Sequence, residues 1–225
     1  MLIELTDVSK GRRGIALPAT TLTYRSGRAT LAMAETEQRP TVLGLIAAGR
    51  MKPDSGSVLV DGARRSRDLR RRSALIDAPD VSEPAPNIIV AGVVGEELMF
   101  AGRLSDPLSA RRWLDDHGLR HLSRTPFADV APRDRLRILL ELAALRPGVE
   151  ALVLVSPDRH GGDPRDWWLL AEEEFAARGF AVLVIAGQAA ARVISDSPSL
   201  PQPRRRAPRV RPASPALRRR KDGIR

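Results

Sequence analysis

The sequence predicts an α/β domain: a mostly parallel sheet flanked by helices, with an antiparallel N-terminal portion and a helical insertion over residues 86–145. Three observations predict it. Residues 151–155 and 181–185 are near-continuous apolar runs, and residues 165–178 between them read as a helix. Strand, helix, strand, with strands apolar on both faces, is the pattern of parallel pairing in a buried sheet. Residues 2–8 and 20–24 alternate in β fashion around a turn at 11–14. Leu136, Leu139, Leu140 and Ala143 recur at helical spacing within 133–146.

The other elements follow in order. The turn at 25–27 ends the second strand, and 29–34 is a short apolar run fit for a buried strand. Residues 41–49 are helix-compatible, with Gly49 near the end. A turn at 53–56 leads to a strand at 57–60, closed by Asp61-Gly62. Residues 64–72 form a basic stretch of mixed sign, followed by the apolar run 74–76. Residues 79–87 are proline-rich and predict a loop; 88–102 and 106–117 predict helices. Beyond Ser195 the chain is rich in proline, serine and arginine and lacks the apolar content to fold, so disorder is expected over 197–225, with the folded domain at 1–196.

At 225 residues the chain suits one domain with a subdomain and a tail. The net charge of +10 is concentrated: residues 201–225 hold ten Lys/Arg against Asp222 alone, which leaves the remainder nearly neutral. Arginine makes up 34 of the 37 cations, a bias that a GC-rich genome also produces. No cysteine occurs, which excludes disulfides and thiolate metal sites. His117 and His121 are four apart, but Gly118 lies between them and no third ligand is evident, so they read as surface histidines, as does His160. The N-terminus lacks the basic and apolar regions of a secretion signal, and no apolar run approaches the length of a membrane span. A cytoplasmic protein, or one held peripherally at the inner face of the cell membrane, is expected.

Several segments together carry a resemblance. Val8-Ser9-Lys10, then Gly27-Arg28-Ala29-Thr30-Leu31-Ala32, then Leu45-Ile46-Ala47-Ala48-Gly49 followed by Met51-Lys52-Pro53-Asp54-Ser55-Gly56, and later Glu97-Leu98-Met99-Phe100-Ala101-Gly102-Arg103-Leu104, resemble an ATP-binding cassette (ABC) ATPase over residues 2–190. The resemblance implies a P-loop NTPase-like three-layer domain with a helical subdomain, ATP and magnesium as ligands, and a membrane permease or a second ABC ATPase subunit as partner.

The residues that would do the chemistry depart from that pattern. A phosphate loop reads G-x-x-x-x-G-K-[ST], so that backbone N–H groups wrap the phosphates and the lysine neutralises them. Here Ala34 and Arg39 stand at the glycines and Pro40 at the lysine; Thr41 alone matches. Proline removes a donor, Arg39 differs in geometry from a loop lysine, and Glu35 and Glu37 add negative charge. Ala34, Arg39 and Thr41 are thus the degenerate cofactor-binding candidates. The apolar strand that should end Asp-Glu-Pro ends Val155-Ser156-Pro157, with Asp158 displaced beyond it. Val130-Ala131-Pro132-Arg133-Asp134 lacks the serine and glycines of the family signature, although Arg135-Leu136-Arg137 keeps its Arg-x-Arg. The glutamine after 74–76 is replaced within Asp77-Ala78-Pro79-Asp80, the histidine after the last strand by Gly187 or Gln188, and no aromatic for adenine lies near 11–14. No catalytic residue and no metal ligand is assigned.

Three readings follow. The first is a catalytically inactive ABC ATP-binding-protein homologue that scaffolds or regulates a membrane permease. The second is a divergent but functional ATP-binding, ATP-hydrolysing subunit using Thr41 and Arg39. The third is an adaptor whose basic tail, Arg204 to Arg206 and Arg218 to Lys221 above all, meets anionic membrane or nucleic acid; without interleaved aromatics the tail lacks a stacking platform for single strands. Elsewhere, adjacent Trp167 and Trp168 on a helix point apart, so at most one is deeply buried, and Glu172, Glu173 and Glu174 read as a solvated face.

Overall fold

The computed structural model describes residues 1–35 and 39–196; Thr36, Glu37 and Gln38 and the tail at 197–225 lie outside the described residues. Two sheets organise the chain. The first is antiparallel, in the order β2 (Leu17–Arg25), β1 (Leu2–Lys10), β4 (Ser55–Val60). The second is parallel, in the order β3 (Arg28–Met33), β7 (Ala181–Ala186), β6 (Ala151–Val155), β5 (Ser73–Ile76). Both expectations about strand direction are borne out.

The parallel sheet is the middle of three layers, and its strands are apolar in every position for that reason. Side chains alternate across a strand. Leu152, Leu154, Val182 and Val184 enter one core with the helices α3 (Val90–Phe100), α4 (Pro107–Asp116), α5 (Pro132–Ala144) and α6 (Pro164–Leu169). Val153, Val155, Leu183 and Ile185 enter the other, with α1 (Pro40–Ala47) and Ile3, Leu5, Val8 and Tyr24 of the antiparallel sheet. The helix α6 runs on into a π-helical stretch, Leu170–Ala176. Trp167 is buried and Trp168 only partly so, as adjacent helical positions require.

Two glycines permit close approaches. A Cβ on Gly44 of α1 would lie 2.6 Å from Val155 Cγ2, so only glycine lets this helix sit down on β6. Gly56 has φ +78°, and a Cβ there would lie 2.3 Å from the carbonyl oxygens of Thr6 and Asp7. It faces the irregularity in β1 between Thr6 and Ser9, where the register to β4 shifts. Tyr24 fixes the two layers to each other: its buried hydroxyl donates to Ala47 O at 2.7 Å, and burial raises its pKa.

Two helices were not anticipated. The basic stretch holds α2 (Ser66–Arg72), which buries only Leu69. It is held by Arg72, whose guanidinium bonds both Glu150 oxygens at 2.9 and 2.7 Å and also meets Asp61 and Asp68. The last is α7 (Gln188–Ser195), docked through Ala190 and Ala191.

Candidate functional site

Ligands of open parallel sheets bind outside the carboxyl ends of the strands. In this chain that edge is formed by Ala34 after β3, Ser156 to His160 after β6, Gly187 after β7 and Asp77 after β5. The N-terminus of α1 reaches the same edge, since α1 follows β3 and packs on β6 and β7. The three cofactor-binding candidates therefore converge on one end of the sheet.

Their local geometry differs from an anion cradle. Ala34 is buried, and its N–H donates to Ala186 O at 3.0 Å, which extends the β3–β7 ladder by one residue. Arg39 is exposed in a left-handed conformation (φ 46°, ψ 72°) and opens α1 without a side-chain cap. Pro40 supplies no N–H, and the Val42 N–H turns back on Arg39 O at 2.8 Å. Thr41 is half-buried in the first turn.

Across this edge the α7 N-terminus is occupied by two carboxylates of the chain itself. Glu35 Oε1 accepts from Gln188 N at 2.6 Å, and Asp158 Oδ2 accepts from Gly187 N at 3.0 Å. Both converge on Gly187: a Cβ there would meet Asp158 Oδ2 at 3.0 Å and Glu35 Oε2 at 3.2 Å. A helix N-terminus carries about half a positive charge and orphan N–H groups. These two acids accept from two of those N–H groups and bring negative charge to the helix end.

The β5 end holds a second cluster. Asp77 is buried, with φ 55°, and its carboxylate meets Arg135 Nη2 at 2.9 Å, His160 Nε2 at 2.7 Å and Arg159 Nη2 at 3.1 Å. Burial pushes its pKa up, but the hydrogen bonds from His160 and Arg135 and the neighbouring arginine charges outweigh that, and the group is held below the ordinary carboxylate value. Arg135 also donates to Phe127 O at 3.2 Å and lies over the Phe127 ring. Arg159 donates to Asp77 O, Val155 O and Ser156 O, and pairs with Glu83 at 3.3 Å. The hub thus joins the ends of β5 and β6 to the first turn of α5.

His160, read from sequence as a surface residue, is mostly buried as a partner of Asp77; nothing local in the sequence marked a contact 83 residues distant. His117 instead donates from Nδ1 to Trp113 O at 2.7 Å and stacks on the Trp113 ring, and no group of three metal-ligating side chains occurs among the described residues.

Two of the segments that carried the resemblance, residues 8–10 and 51–56, come together as well. Lys10 Nζ donates to Asp54 Oδ1 at 2.6 Å and to Lys52 O at 3.1 Å, Gly11 N donates to Asp54 Oδ2 at 2.9 Å, and Asp54 N donates to Ser9 O. The bond from Lys10 and that from the Gly11 N–H lower the Asp54 pKa. On the opposite side of the parallel sheet, an open groove of about 430 Å³ lies between the 81–88 loop and α3 and α5, lined among others by Glu83, Ile88, Glu97, Phe100 and Arg146. No helix among the described residues is long and apolar enough to cross a membrane.

No family model matches the chain, and no curated protein matches it. Solved structures do. An ATP-binding subunit of an ABC transporter is 21% identical with a TM-score of 0.57, covering 85% of this chain and 81% of that one. A putative ABC transporter ATP-binding protein from Pyrococcus furiosus is 16% identical with a TM-score of 0.60, covering 84% of this chain and 92% of that one. The fold expected from the sequence is confirmed: the chain has the fold of these ABC transporter ATP-binding subunits.

Proposed function

We propose that this chain is an ABC transporter ATP-binding-subunit homologue that does not turn over ATP and serves a membrane permease as a scaffolding or regulatory subunit. The observation that carries this reading is the occupation of the α7 N-terminus by Glu35 and Asp158. In a domain of this fold a polyphosphate would enter beside the end of β3. It would meet the Glu35 carboxylate there, a like charge beside the polyphosphate. The remaining residues do not offset that repulsion. Pro40 offers neither charge nor N–H, and Arg39 is turned into a left-handed, exposed conformation. The strand end that should hold magnesium presents Ser156 and Pro157, and Asp158 is committed to Gly187 N. The residues present therefore do not fit a magnesium nucleotide, and no step is routed through one.

The partner half of the proposal draws on the fold and on the groove beside α3 and α5. Its half-exposed Val81, Ile88 and Phe100 give a segment of a permease an apolar surface to rest on at the cytoplasmic face of the membrane.

The test is a thermal-shift titration with ATP, with and without magnesium. A ligand at 100 times its Kd stabilises by about 2.7 kcal/mol. No shift at millimolar ATP is expected. A magnesium-dependent shift, with turnover that disappears in Thr41→Ala, would overturn the proposal in favour of a divergent, working subunit.

A further inference from the structure

We infer that the tip of the α3–α4 hairpin is a docking surface for anionic lipid, independent of any permease. The hairpin turns between Phe100 and Pro107, and its tip carries apolar side chains that the domain leaves more than half exposed; Phe100 also borders the groove beside Arg146. Leu104 is 80% exposed, Phe100 56%, Met99 55% and Leu108 54%. No other stretch of the described chain this short holds so many exposed large apolar residues. Water solvates them at a cost that a lipid interface removes.

Arginines surround them. On α4, Arg111 and Arg112 follow Leu108 by three and four residues, which places them on its face of the helix. Ala110, Trp113 and Leu114 face the core instead. Arg103 precedes Leu104 in the turn. These three arginines are exposed and form no ion pair among the described residues. The nearby acids are engaged: Asp106 caps α4 through Leu108 N and Ser109 N, Asp115 pairs with Arg120, and Glu97 pairs with Arg146. Glu96, one helical turn before Met99 and Phe100, and Asp116, one turn after Arg112, form no ion pair among the described residues and stand at the base of the hairpin, behind its tip.

A tip with exposed apolar side chains, three arginines without ion pairs among the described residues and one acid, Asp106, matches an anionic bilayer surface in both of its properties. The leucines enter the headgroup boundary, and the long arginine stems follow while their charges stay at the phosphates. Nucleic acid would engage the arginines and leave the leucines in water. The basic residues of 201–225 would add attraction to the same surface, and two weak signals together make an anchor that neither makes alone.

The full-length protein, without partner or nucleotide, is co-sedimented with vesicles of phosphatidylcholine and with vesicles holding roughly one-third phosphatidylglycerol. Binding to the anionic vesicles is expected. The double variant Leu104→Asp, Leu108→Asp should weaken it about tenfold or more, and the milder Leu104→Ser measurably, with thermal melting unchanged because both side chains are exposed. Arg111→Gln with Arg112→Gln should weaken it severalfold and flatten its salt dependence. Three results would overturn the proposal: no binding to anionic vesicles, binding lost on neutralising residues 218–221 but indifferent to both leucine variants, or tighter binding to an oligonucleotide duplex that is equally indifferent to them.

Discussion

Two sets of carboxylates stand at the same edge of the parallel sheet and meet opposite surroundings. Asp77, after β5, is wholly buried and faces three cationic or basic side chains. Glu35 and Asp158, after β3 and β6, face backbone N–H groups at a helix end. The first set is an internal brace: it fixes the first turn of α5, and with it the helical layer, against the sheet. The second caps a helix: it accepts from the first N–H groups of α7. Acid side chains at a strand end therefore have no single meaning, and what they touch separates a brace from a cap.

The largest effect expected from breaking this comparison is at the brace. Asp77→Ala leaves Arg135 buried without its countercharge, and removing one partner of a buried pair costs about 3–5 kcal/mol. Chemical denaturation checks it. A loss no larger than that of a single helix cap would place Asp77 in the same class as Glu35.

The same interaction is readable by titration. The Asp77 carboxyl is held below its unfolded value of about 3.9, so the stability it contributes is fully present above that pH. It is lost as pH falls from about 4 through the folded value, because the unfolded chain then binds the proton first. Denaturant melts of the wild type should show this acid limb, and melts of Asp77→Asn should show a shallower one.

Smaller effects belong to the helix end. Glu35→Ala and Asp158→Ala each remove a cap from α7 and should cost about 0.5–2 kcal/mol. The two act on one helix end, so the double variant should depart from additivity. Amide exchange over 188–195 should quicken while exchange in β6 stays unchanged.

Much of this architecture was legible in the sequence. The runs at 151–155 and 181–185 announced a sheet buried on both faces, since only such strands are apolar at every position. The helix α2 was not legible because its stability lies in Arg72 reaching Glu150, Asp61 and Asp68, and local periodicity carries no trace of those ion pairs. In α7 the helix is short, and its start was read only for a missing histidine. At the site, the loss of glycines and lysine around Ala34, Arg39 and Thr41 was visible residue by residue. Which N–H groups Glu35 and Asp158 would bond was not, because Gln188 lies 153 residues from Glu35 in the chain. The pairing of Asp77 with His160 escaped for the same reason.

The position of β7 has a consequence for how the molecule is made. It lies between β3 and β6, and Arg28 pairs with Ala181. The middle of the sheet is thus supplied by a strand that leaves the ribosome after its neighbours β3 and β6. Until it arrives, β3 has no neighbour in its sheet, and one edge of β6 stays open to other chains. Closure joins segments far apart in sequence, which slows it. A nascent chain stopped short of residue 181 would be a substrate for chaperones rather than a smaller domain.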